Sequence, residues 1–240
     1  MFATSLIAIS FSLGFFIESI LGFGGSLIGY AILTFFLDVK SMILAALYIG
    51  TISSAKIIYT DYKSFDKKIF FKSLPITLIG LFFGTFLFVK LPAEILSCTL
   101  GGLLFLLAIK ILFFDKYVFP KIFKSKLVLI GGIAHGAFGV GGPFLANALQ
   151  KDFQNKSNLR TTLACFFVFF NLIRFVQLAL QNKLKAEFFI NIWWAIIPVL
   201  FAIKLGHKVH LKISENLFKK GVAVMTVIAA IKLISNAFFN

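Results

Sequence analysis

A glycine turn set in apolar sequence occurs twice in this chain. Gly22-Phe23-Gly24-Gly25-Ser26 lies near the N-terminus, and Gly139-Val140-Gly141-Gly142-Pro143 lies 117 positions later. Each copy has a Gly-x-Gly-Gly core. An ionisable residue stands four positions before its first glycine, Glu18 in one copy and His135 in the other. Three glycines in four residues let the backbone turn sharply, so each copy interrupts the helix that precedes it. Broken backbone is tolerated at membrane depth only where protein covers it or a cavity borders it. The pair therefore reads as two breaks in membrane helices that face each other across one substrate site.

The surrounding composition makes the membrane assignment. The 240 residues are 60% hydrophobic and 14% charged, with 33 phenylalanines. A soluble domain has too little interior to hide that much apolar surface. Several stretches are long enough to cross a hydrocarbon core about 30 Å thick. The expected class is an all-α polytopic membrane protein, with residues 1–240 forming a single transport domain. The formal charge of +15 does not argue for nucleic acid, because the lysines lie in short loops between apolar segments. There they set orientation and meet anionic headgroups of the bilayer. Cys98 and Cys165 sit inside apolar segments without metal spacing or a disulfide framework, and read as packing residues. Met1–Leu21 lacks the basic start of a signal peptide, and Glu18 interrupts it where a cleavage site is expected, so it is kept as part of the mature structure.

In order, residues 3–21 read as a helix, and 26–37 as an apolar piece too short for a comfortable crossing, which suggests a re-entrant or broken helix. Residues 41–60, 73–89 and 93–114 are spanning candidates, separated by a loop at 61–72 and a turn at Lys90-Leu91-Pro92. The pattern then restarts. Two short pieces, 127–138 and 143–150, flank the second turn, followed by spans at 160–180, 187–204 and 217–238. Each half is thus a broken hairpin followed by three helices, with repeat 1 at about 1–116 and repeat 2 at about 124–240. Leu91-Pro92-Ala93-Glu94 opens the last helix of one half and Lys212-Ile213-Ser214-Glu215 that of the other; Gly84 and Gly206 close the preceding helices at matching positions.

A hairpin returns to its starting side, and three more spans make an odd total, so the halves are expected to be inverted. The loops agree. Those at 61–72, 115–126, 151–160 and 204–220 hold sixteen Lys and Arg residues, against Lys40, Lys90, Lys183 and Lys185 on the opposite side. By the positive-inside rule both termini then lie outside the cytoplasm. Inverted repeats with broken helices are a recurring design of secondary transporters.

Phe16-Ile17-Glu18-Ser19-Ile20-Leu21-Gly22-Phe23-Gly24-Gly25 resembles the first signature of the sulfite exporter TauE/SafE family. Gly131-Gly132-Ile133-Ala134-His135-Gly136-Ala137-Phe138-Gly139-Val140-Gly141-Gly142-Pro143 resembles the second. The Leu-Pro-Ala-Glu segment after Gly84 and Lys212 to Lys220 after Gly206 extend the likeness over nearly the whole chain. The resemblance implies a bacterial inner-membrane permease or exporter of small sulfur-containing anions such as sulfite, sulfoacetate and related organosulfonates. An acid before the first turn marks one branch of that family, which Glu18 fits, whereas His135 stands where that branch more often has an acid.

The glycines Gly22, Gly24, Gly25, Gly139, Gly141 and Gly142 are the first substrate-binding candidates. They allow close backbone approach, and the helix after each turn offers N–H groups and a positive dipole end to an oxyanion. Ser26 adds a hydroxyl, while Pro143 suits the first helical turn without donating an N–H. The plainer alternative is helix packing, since Gly25 and Gly29 also form a small-xxx-small pair. Glu18 and His135 are the proton-coupling candidates, because an ionisable group at membrane depth is functional by default; His135 is equally suited to hydrogen-bonding the substrate. Each has a plainer reading as a satisfied interior side chain. Lys56 and Arg174, 118 positions apart, form a matched pair of cations suited to an anion path, or else reach out to the interface from the ends of their helices. Lys110 and Lys232 match too, but near helix ends, where snorkelling is favoured. Asn171 hydrogen-bonds a sulfonate or ties helices together.

Neither a cofactor nor a metal is expected. His-Glu-x-x-His and Cys-x-x-Cys are missing, Gly24-Gly25-Ser26-Leu27-Ile28 fails the nucleophile-elbow pattern, and Gly22-x-Gly24 lacks the rest of a dinucleotide loop. The expected partners are a small anion and the bilayer, with a homo-oligomer left open. Without a P-loop for ATP, an ion gradient or the membrane potential must supply energy. The first reading is alternating-access anion transport. A passive anion channel on the same scaffold is the second, and an intramembrane enzyme using Glu18 and His135 a distant third.

Overall fold

The computed structural model describes all residues except 1, 22, 23, 115, 116, 118, 210–214 and 240. Among the described residues all regular structure is helical. The helices are α1 (Phe2–Leu21), α2 (Gly25–Leu33), α3 (Val39–Asp61), α4 (Lys67–Lys90), α5 (Ala93–Phe113), α6 (Lys124–Phe138), α7 (Gly142–Leu149), α8 (Lys156–Leu180), α9 (Ala186–Ile192), α10 (Ile196–Val209) and α11 (Glu215–Phe239). Among the described residues seven stretches are long and apolar enough to cross a membrane: α1, α3, α4, α5, α8, α9 with α10, and α11. The short α2, of 9 residues, and α7, of 8, follow the two glycine turns.

Helix ends differ from the sequence expectation where polar caps extend an apolar span. The loop expected at 61–72 ends early, because α4 starts at Lys67. The Asp66 carboxylate accepts the Ile69 N–H at 2.9 Å and so caps this end, placing Lys67, Lys68 and Lys72 on exposed helical turns. Likewise α8 begins at Lys156 and not at 160, because the Asn155 side chain accepts the Asn158 N–H at 2.9 Å. The helix α2 stops at Leu33, short of the expected 37. The span expected over 187–204 is interrupted by a 3₁₀ turn at Trp193–Ala195. Pro198, in the first turn of α10, has no N–H to give the Trp194 carbonyl, so a continuous helix would lose that bond. The last span, expected over 217–238, starts at Glu215, and most of the segment expected to lead into it, Lys212 to Ser214, lies outside the described residues.

The chain forms two compact units. The first takes residues 1–46, 91–117 and 191–240. In it α1 packs on α2 and α10, and α5 packs along α11. Leu96, Leu100, Leu104 and Ala108 recur every fourth residue and so share one face of α5; they are buried, as are Ala229, Ala230 and Leu233 on α11. A side chain at Gly206 of α10 would run into the Phe16 carbonyl and the Ser19 hydroxyl of α1, so these two helices meet at bare backbone.

The second unit takes residues 47–90 and 118–190. Its centre is the crossing of α4 and α6. Gly80 and Gly84 of α4 and Gly132 and Gly136 of α6 each face a backbone carbonyl of the opposite helix, close enough that no Cβ fits. Without a hydrophobic driving force between helices in lipid, such close approach is a main source of helix association. The start of α8 is latched to the α3–α4 connection by hydroxyls. Asp61 accepts from Ser157 and Ser64, and Thr162 accepts the Asp66 N–H at 3.0 Å. Phe70, Phe166 and Phe170 form a run of tilted ring contacts in the same unit, with centroids 4.5 and 5.4 Å apart along the series.

Candidate functional site

In the first unit α1 carries Glu18 into the broken hairpin. Gly24 has φ 101°, a conformation that suits glycine, and it turns the chain into α2. The Gly25 N–H then donates to Glu18 Oε2 at 2.7 Å. Glu18 is buried, and its carboxylate stands at the N-terminal end of α2, where the helix dipole and open N–H groups favour an anion. Gly25 has no room for a side chain, since a Cβ would lie 2.6 Å from Phe15 and 2.7 Å from the Glu18 carboxylate. Nor could Gly14 of α1 carry one, because the Gly25 carbonyl stands against it. Ser26 is half-buried. Gly22 lies outside the described residues. The α2 terminus, expected from the sequence to offer its N–H groups to a substrate, thus has its first N–H bonded to a carboxylate of the protein itself.

The second unit builds its hairpin differently. Gly139 ends α6 at φ 71°, Gly141 and Gly142 open α7, and Pro143 sits in the first turn of α7. A Cβ on Gly141 would meet the Gly131 carbonyl and come within 2.7 Å of His135 Cβ, so the turn lies directly against His135. His135 is 3% exposed. Its ring stacks on Phe167 (centroids 5.1 Å apart, planes 7° apart) and meets Phe170 edge-on. Nε2 donates to Asn171 Oδ1 at 3.0 Å, which leaves Nδ1 as the acceptor of the neutral ring. Nδ1 is buried and has no hydrogen-bond partner among the described residues.

One turn beyond Asn171 on α8 is Arg174, 0% exposed, its guanidinium carbon 5.9 Å from the centre of the Phe88 ring. A headgroup-seeking arginine does not describe this buried side chain. Lys56 is unlike it: exposed on α3, its ammonium lies 5.2 Å from the centre of the Tyr59 ring. The structure therefore gathers His135, Asn171, Arg174 and the second glycine turn into one unit, and leaves Lys56 on the surface. Glu18, Gly24, Gly25 and Ser26 form a separate group in the other unit. Gln177, one further turn along α8, went unnoticed in the sequence. Its amide oxygen is buried without a partner among the described residues. The available signal was an uncharged polar residue inside an apolar span, three places after a candidate arginine.

Seven apolar spans among the described residues, two short helices that follow glycine turns, and the buried Glu18, His135 and Arg174 on the longer helices define a multi-pass membrane protein. The chain matches the sulfite exporter TauE/SafE family over residues 6–233 and belongs to it. Comparison with curated proteins and with solved structures gave no match.

Proposed function

We propose that this protein is a secondary transporter that carries small sulfur-containing anions, such as sulfite, sulfoacetate or other organosulfonates, across a bacterial inner membrane. The two halves of the chain act as inverted repeats, both termini lie on the periplasmic side, and transport proceeds by alternating access. The observation that carries the reading is the buried Arg174 beside the His135–Asn171 pair. Arg174 lies past the middle of α8, where an arginine is still costly, up to the roughly 2.5–3.5 kcal/mol that insertion scales give at a helix centre. Interhelical hydrogen bonds in membrane proteins average only about 0.6 kcal/mol. Packing benefits of that size do not explain keeping a guanidinium there, whereas electrostatic attraction for a transported anion does. The family assignment supports the same chemistry and supplies the sulfur-anion expectation.

In this reading Arg174, Asn171 and the second glycine turn, Gly139, Gly141 and Gly142, hold the anion. Glu18 carries the coupling proton, since protonation weakens its hold on the Gly25 N–H. The measurement is sulfite and sulfoacetate flux into proteoliposomes with and without an imposed pH gradient. Flux should follow the gradient. Glu18→Gln should flatten the pH dependence of flux more than it weakens binding. Wild-type pH dependence in that variant removes Glu18 from the coupling role, and no flux of either anion removes the sulfur cargo.

A further inference from the structure

The buried face of α8 holds a polar band with a defined order. At about 100° per residue, Asn171 and Gln177 fall some 60° to either side of Arg174. Their Cα atoms are therefore about 9 Å apart along the axis, with the arginine between them. Both ends of the band carry a hydrogen-bond acceptor that lacks a donor among the described residues. One is His135 Nδ1, because Nε2 spends its hydrogen on Asn171; the other is Gln177 Oε1. Phe167 and Phe170 hold the imidazole in place by ring contacts. The ring is fixed, so its lone pair has a fixed direction.

Buried polar groups are matched by partners as a rule, and an acceptor kept dry calls for a donor. We infer that the ligand of this band carries a hydrogen-bond donor as well as a negative charge, and that Gln177 is a specificity-determining residue reading that donor. The chemical class is an anion bearing a hydroxyl, an amino group or its own acidic proton. Within the proposed class this favours hydrogen sulfite and sulfonates that bear a hydroxyl or amino group over donor-free anions such as sulfoacetate, which leave both acceptors unmatched. The inference rests on the proposed anion site for its charge. It adds Gln177 and a second recognition element that the sulfur chemistry alone does not require.

The test uses full-length protein in detergent and ligand-induced thermal stabilisation, with two pairs of anions that differ by one hydroxyl. These are 2-hydroxyethanesulfonate against ethanesulfonate, and hydroxyacetate against acetate. The hydroxylated sulfonate should bind on the order of 100-fold more tightly, because its partner leaves buried acceptors unpaired. Gln177→Met and His135→Phe should each bring that ratio below roughly tenfold by removing one acceptor. Leu172→Ala, on the exposed side of the same helix, should leave it unchanged. Equal affinities within the sulfonate pair overturn the inference, as does a ratio untouched by both acceptor variants. Preference for hydroxyacetate over acetate with no sulfonate binding keeps the donor requirement and removes the sulfur cargo. Binding of none of the four overturns both.

Discussion

Glu18 and Gly25 meet across a turn that the sequence marks only with glycines. With Glu18 ionised, their bond is charge-assisted, and the carboxylate faces the positive end of the α2 dipole. Glu18→Gln keeps an oxygen acceptor and loses only the charge, for a cost of about 0.3–1 kcal/mol. Glu18→Ala leaves the Gly25 N–H buried without its acceptor, for about 1–3 kcal/mol. Thermal unfolding of the purified variants compares the two, and equal losses would mean that the bond contributes little. Glu18 and His135 were legible in the sequence because charge is rare in apolar surroundings. Their partners were not. The Gly25 N–H is shared backbone chemistry that no residue type announces, and Asn171 is 36 positions from His135. Only the folded chain brings such groups within hydrogen-bonding distance.

At the level of helices, hydropathy located every span and misplaced ends where polar residues belong to a helix. Lys67, Lys68 and Lys72 look like loop because they are charged, yet they form exposed turns of α4 once Asp66 caps it. The break at Trp193–Ala195 was hidden for the opposite reason, since its residues are as apolar as the helices around it. Among glycines the sequence does not separate packing from slack, and the structure does. At Gly136 a Cβ would meet the Leu81 carbonyl of α4, whereas at Gly102 of α5 nothing stands within 4 Å. Gly136→Ala should therefore destabilise the protein by about 1–3 kcal/mol through overpacking. Gly102→Ala should stabilise it by roughly 0.5–1 kcal/mol through reduced backbone freedom in the unfolded chain. Melting midpoints of the two variants decide the matter, and a harmless Gly136→Ala would show that α4 and α6 do not cross this closely.

For the whole molecule, the charge distribution predicts an orientation that thiol labelling checks. With Cys98 and Cys165 replaced by Ala, single cysteines are introduced by Lys67→Cys and Lys183→Cys, both at exposed positions. A membrane-impermeant maleimide applied to the periplasmic face should label the Lys183→Cys protein and spare the Lys67→Cys protein. The reverse pattern would turn the protein over in the membrane. What the sequence could not announce is which helices share a compact unit. Matching Gly84 with Gly206 was a clue, since Gly84 seats α4 on α6 and Gly206 seats α10 on α1. Each unit draws on both halves of the chain, and the close contacts between bare backbones within them leave no periodic trace in the sequence.

The seating of α10 on α1 sets a timetable for the protein's own making. The last residue of α1 is Leu21 and the first of α10 is Ile196, so 175 positions of growing chain separate two helices that meet along bare backbone. At about 5–20 residues per second, a ribosome needs roughly 10–35 s to produce the second after the first. Throughout that interval α1 resides in the bilayer with Glu18 on board and its eventual neighbour unwritten. The carboxylate's bond to Gly25 needs only four further residues beyond Leu21, so it is available almost at once. That local bond lets the newborn hairpin shelter its own charge while the rest of the transporter is still being translated.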